Sequence, residues 1–103
     1  MALVTIVVRD VAERFHGFLA SVMLEAAPNV FVSPRMSAGI RQRTWAVLRD
    51  WHEAEPRGSV VMVWRDLAAT GGVGLAHLGQ PPREIVELDG MWITRRARTI
   101  NPL

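Results

Sequence analysis

The sequence contains no cysteine and no lysine. Without cysteine there is no disulfide, no thiolate zinc site and no cysteine nucleophile. Without lysine, all twelve basic residues are arginine, the side chain that binds phosphate bidentately and keeps its charge. A GC-rich genome gives the same bias, so composition alone does not establish a nucleic-acid partner. The net charge is only +2. No apolar run approaches the roughly 20 residues that span a bilayer. Leu3–Val8 is apolar but short, and lacks the basic leader and cleavage site of a signal peptide. An unprocessed cytoplasmic protein without a membrane partner is therefore expected. His52 and His77 have no partner at metal-ligand spacing, no serine or threonine sits in a nucleophile–base pattern, and GGVGLAHLG opens no helix, so it does not read as a phosphate loop.

What is present is one domain's worth of chain. The 103 residues are half apolar and about a fifth charged, enough for a single core. Residues 3–8 (LVTIVV) read as a strand buried on both faces. Asp10, with Glu13 three residues on, has capping-box spacing and predicts a helix start. Phe15, Phe18, Leu19, Val22, Met23 and Ala26 make the helix's apolar stripe, and Pro28 is expected to end it. Residues 29–32 read as a short second strand. Ser33-Pro34 reads as the cap and first position of a second helix, with Met36, Ile40, Thr44, Val47, Leu48 and Trp51 as its stripe. Residues 59–65 (SVVMVWR) are a strong strand. Residues 73–78 are a weaker one because of Gly74. Residues 84–88 and 91–95 flank Asp89-Gly90, a good two-residue hairpin turn. The expected order is β-α-β-α-β-β-β. The fold class is α+β, a ferredoxin-like sandwich with two helices on one face of a mainly antiparallel sheet and a C-terminal β extension. Residues 1–95 form the single domain with its hairpin, and 96–103 form a basic tail.

Four segments, in order, resemble one family. LVTIVVRDVAERFHGFL, VFVSPRMSAGIRQRTW, GSVVMVW and IVELDG are similar to the strand–helix start, second strand and helix, core strand and C-terminal turn of the CRISPR-associated Cas-two family, type I-E. The resemblance implies a ferredoxin-like homodimer that bridges two dimers of the Cas-one integrase subunit, binds a double-stranded protospacer and serves spacer acquisition in antiviral defence. Some members are described as metal-dependent endoribonucleases or DNases.

The family's proposed nuclease acid falls here at Arg9 or Asp10. Arg9 cannot hold a metal, which leaves Asp10 as the local catalytic and metal-ligand candidate. A nuclease-active chain would take Mg²⁺ there. The competing reading of Asp10 is a helix cap, worth about 1 kcal/mol. The resemblance also implies phosphate contacts from Arg14, from His16 at a basic position, and from Arg83. At Arg83 the family carries an arginine pair, of which Pro82 replaces one. Met91, Trp92, Ile93, Arg95 and Arg96 are the candidate partner-binding segment, and Arg98 extends its basic cluster. Trp51 and Trp64 lie on apolar faces and are expected in the core. The scaffold reading stands ahead of the nuclease reading.

Overall fold

The computed structural model describes residues 1–79 and 83–96, with the side chains of Arg83 and Arg96 outside the described set. Strand β1 (Ala2–Arg9) leads through a short turn to helix α1 (Glu13–Val22). A hairpin follows, β2 (Leu24–Ala27) and β3 (Val30–Met36), then helix α2 (Ala38–Ala54) and strand β4 (Ser59–Arg65). A tight turn at residues 70–72 leads into β5 (Val73–Leu78), and the described chain ends in β6 (Arg83–Leu88) and β7 (Met91–Arg96). The main sheet is antiparallel throughout, in the order β2-β3-β1-β4-β5. Its first four strands and two helices form the ferredoxin-like β-α-β-β-α-β unit, and β5 widens it by one strand. The expected α+β class holds.

Three local expectations are corrected. Helix α1 stops at Val22, and Leu24–Ala27 is an exposed edge strand, so the stripe ends with buried Met23 while Val22 and Ala26 are exposed. Pro28 sits in a two-residue hairpin turn, followed by Asn29 at φ 68°, a backbone that asparagine tolerates. Ser33-Pro34 does not open a helix. It lies inside β3 where the register with β1 shifts, and proline is accepted in a strand where the ladder is interrupted. The helix cap is Ser37, whose Oγ accepts the Ile40 N–H at 3.2 Å. Ile40 itself is exposed.

The core lies between the helices and one face of the sheet. Val4, Ile6 and Val8 of β1 alternate onto that face and meet Phe31, Met62 and Val60 of the neighbouring strands. Phe15 and Leu19 of α1 and Leu48 of α2 close over them. Trp51 joins the helices. Its ring takes Phe15 and Phe18 edge-on at 5.6 and 5.4 Å, the arrangement aromatic quadrupoles favour. Trp64 lies flat across Gly74, its cross-strand neighbour. A Cβ on Gly74 would sit 2.1 Å from Trp64 Cε2. The glycine that weakens β5 as a sequence pattern is the residue that makes room for the indole.

The expectation that β1 is buried on both faces is met on one face only within a single chain. Leu3 and Val7 point away from the helices and are 52% and 41% exposed. The register places Val7 between Val30 and Val61, and Thr5 between Val32 and Val63. Leu24 and Leu75 extend this face outward. It is an apolar sheet surface with no helix over it among the described residues, and a trough of about 580 Å³ opens along it at Leu3, Thr5, Val63 and Val73.

The hairpin β6–β7 forms a second, two-stranded sheet. Asp89 and Gly90 take positive φ of 51° and 77° at its turn, as that dipeptide predicts. Strand β7 reaches Arg96, one residue into the expected tail; residues 97–103 lie outside the described set, as does the loop 80–82 that carries Pro81 and Pro82.

Candidate nucleic-acid interface

The β1–α1 turn is built differently from the capping box expected of it. Helix α1 is capped by Ala12, with no side-chain hydrogen bond, and Glu13 is its first residue. Asp10 stands two residues before that cap, at φ 56°, the left-handed region open to aspartate and asparagine at little cost. Its exposed carboxylate caps nothing among the described residues. The capping reading of Asp10 is therefore corrected: the sharp turn into the helix, rather than a free N–H, is what the residue serves.

Two contacts from the α2–β4 connection hold this turn. Arg57 donates from Nε to the Asp10 carbonyl and from Nη2 to the Val11 carbonyl, both at 3.3 Å. Gly58, at φ 75°, lets the chain pass so close that a Cβ there would fall 2.2 Å from the Arg9 carbonyl oxygen. His52 lies 3.3 Å from the Gly58 carbonyl, a structural contact at the same turn. Sequence reasoning missed Arg57, because its partners are backbone carbonyls 46 and 47 residues away and no periodicity marks them.

Arg14 is exposed on the first turns of α1, on the side that faces α2. Its guanidinium lies over Trp51, 4.8 Å from the ring centroid, and Nη2 reaches the Trp51 carbonyl at 3.4 Å. Stacking uses the flat face of the guanidinium and leaves in-plane N–H donors free for an anion. His16 is half-buried, its ring 6.2 Å from Phe31. Two residues apart on a helix do not share a face, so Arg14 and His16 flank opposite sides of the apolar stripe and do not form one patch. Arg83 starts β6, opposite Arg96 in the register; its side chain is outside the described set, so its phosphate contact stays an expectation.

The partner-binding segment divides by strand alternation. Met91, Ile93 and Arg95 share one face of β7, with Met91 exposed and Ile93 half-buried. Arg95 Nε pairs with Glu84 Oε2, directly across the hairpin, at 2.7 Å. Trp92 turns the other way and donates its indole N–H to the Val73 carbonyl at 2.9 Å, so this side chain ties the hairpin to β5 within the same chain. The side chain of Arg96, and all of Arg98, lie outside the described residues.

A divalent metal needs several hard oxygen ligands. No group of three His, Asp or Glu side chains that could hold one gathers among the described residues. Asp10 alone does not fit Mg²⁺ within one chain. No described helix is long and apolar enough to cross a membrane.

The sequence model of the family described as CRISPR-associated protein (Cas_Cas2CT1978) matches residues 3–93. That span runs from the first strand through Ile93 of β7 and takes in the Arg14 helix start, the Arg57 anchor and the uncovered sheet face. The chain belongs to this CRISPR-associated family of Cas2 type.

Proposed function

We propose that the chain is a spacer-acquisition subunit of type I-E kind, acting as a homodimer that bridges Cas-one integrase dimers and holds a protospacer duplex by its phosphate backbone. The observation that carries this reading is the uncovered apolar sheet face. The residue pattern of β1 asks for burial on both sides, and the described residues of one chain supply only one cover. A second copy laid face to face would bury Leu3, Val7 and their neighbours on β3 and β4 twice over, as in the apolar interfaces of obligate homodimers. Each copy then contributes one Arg14, whose free guanidinium edge is the phosphate contact, and one Arg83. Such contacts position a duplex without reading its sequence. The face of β7 that carries Met91 and Ile93 is the surface offered to the integrase.

A second reading, a metal-dependent endonuclease, draws on one observation: the Asp10 carboxylate is not used as a cap. It requires Asp10 of a second copy, or a partner's carboxylate, to complete the Mg²⁺ ligands.

Sedimentation equilibrium tests the dimer. Twice the mass of the 11.5 kDa chain is expected, with one duplex bound per pair of chains. A monomer at micromolar concentration, with or without duplex, would overturn the reading.

A further inference from the structure

Helix α1 begins without the side chain that ordinarily fixes a helix start. Its N-cap, Ala12, makes no side-chain hydrogen bond, so other contacts have to set the direction of its first turn. Arg14 stands on that turn. The contacts come from the end of α2 and the connection behind it. The Trp51 ring and carbonyl take the Arg14 side chain. Arg57 takes the backbone, donating to the Asp10 and Val11 carbonyls, both at 3.3 Å. These are the two residues that precede Ala12. Asp10 is at φ 56°, a conformation that an L residue keeps only where its surroundings hold it.

The charge of Arg57 is used inward. Nε and Nη2 serve the two carbonyls, and Nη1 faces Glu55 Oε1 at 3.9 Å. Asp10 and Glu13 add two exposed carboxylates to the same turn. An anion approaching Arg57 meets an occupied edge among acidic neighbours, which disfavours a direct phosphate contact. A cation before a helix N-terminus also opposes the helix dipole, so charge gives Arg57 no advantage there. What it supplies is shape: a planar fork that reaches two adjacent carbonyls at once. We infer that Arg57 is a positioning residue for the Arg14 phosphate contact. By clamping Asp10 and Val11 it sets the start of α1 so that Arg14 lies over Trp51 with its outer donors turned to the duplex. The inference rests on the duplex-binding reading above and adds to it a residue that touches no DNA.

The test uses the full chain and a short DNA duplex, read by fluorescence anisotropy over a salt series at a temperature where circular dichroism shows every variant folded. Arg57→Gln and Arg57→Lys should both lower the slope of log K against log salt by as much as Arg14→Ala does, about 0.9 per chain. Lysine keeps the charge but cannot span both carbonyls, so it should not rescue binding. On an Arg14→Ala background Arg57→Lys should lower the slope no further, because both changes act through one contact. Glu55→Gln leaves the carbonyl bonds in place and should keep the wild-type slope. Lysine still reaches one carbonyl, so Arg57→Lys carries the test if Arg57→Gln fails to fold. A wild-type slope in both Arg57 variants, with Arg14→Ala flattened, would make Arg57 a brace of the fold and overturn the inference alone. A slope kept by lysine and lost with glutamine would make Arg57 itself a phosphate contact and overturn it too. An Arg14→Ala slope equal to wild type would remove the duplex contact, and the inference with it.

Discussion

Replacing Arg14 by alanine separates the residue's structural role from its proposed contact with DNA, because the two have different magnitudes and different assays. Within the chain, Arg14 contributes a cation–π contact with Trp51 at 4.8 Å and a long hydrogen bond at 3.4 Å. At an exposed site the first is worth about 0.5–1 kcal/mol, and the second adds little at that length. For a domain of this size each kcal/mol corresponds to roughly 4–8 °C in Tm, so Arg14→Ala should melt only a few degrees lower and remain fully folded at room temperature. On DNA, each chain of a dimer loses one phosphate contact. The slope of log K against log salt should then fall in magnitude by about 0.9 per phosphate, about 1.8 per dimer. Affinity should drop to a similar degree for unrelated sequences, since phosphates carry no base identity. Fluorescence anisotropy with two duplexes of different sequence, over a series of salt concentrations, reads both quantities. An unchanged slope with the expected small melting shift would show that Arg14 only braces the helices.

Val7→Asp places a charge at the centre of the uncovered face, between Val30 and Val61. Val7 is 41% exposed in the single chain, so the monomer should fold normally by circular dichroism, whereas light scattering should show the dimer lost; a stable Val7→Asp dimer would refute that interface. Asp10→Asn and Asp10→Gly should be near neutral in urea denaturation, while Asp10→Ser and Asp10→Ala should each lose about 1 kcal/mol to the left-handed backbone. Serine is a good cap, so a neutral Asp10→Ser would restore the capping reading. Gly74→Ala should cost about 1–3 kcal/mol, because the new Cβ meets the Trp64 ring at 2.1 Å; equal urea midpoints for Gly74→Ala and the wild type would contradict the packing described for Trp64.

The elements legible in the sequence were those with strong alternation or turn chemistry. Strand β4 and the Asp89-Gly90 hairpin fall where the pattern places them, and β5 does so despite Gly74. The departures share a cause: tertiary context reassigns a local motif. Val22, Met23 and Ala26 fit a helical stripe, but the chain turns extended at Met23 to supply the edge strand β2, whose exposed residues carry no burial signal. Ser33-Pro34 has the form of a helix start, yet a register shift in the sheet makes room for the proline inside β3. Asp10 and Glu13 have the spacing of a capping box, while the turn needs the positive φ that Asp10 adopts. The exposure of Arg14 is legible, because it stands beside a clear apolar stripe, whereas its phosphate contact rests on the family resemblance alone. The contacts of Arg57 and Arg41 are not legible, because one acts on backbone carbonyls distant in sequence and the other on Trp64, placed beside it by the packing of α2 on the sheet.

The central claim, a bridging scaffold rather than a nuclease, is tested most directly by reconstituted integration. The chain, its Cas-one integrase, a short duplex and a repeat-bearing plasmid would be combined, with wild type and Asp10→Asn in parallel. The account predicts equal integration by both, and none when the chain is omitted. Integration by the wild type alone, although the Asp10→Asn complex assembles normally, would contradict it and give the Asp10 carboxylate a chemical role.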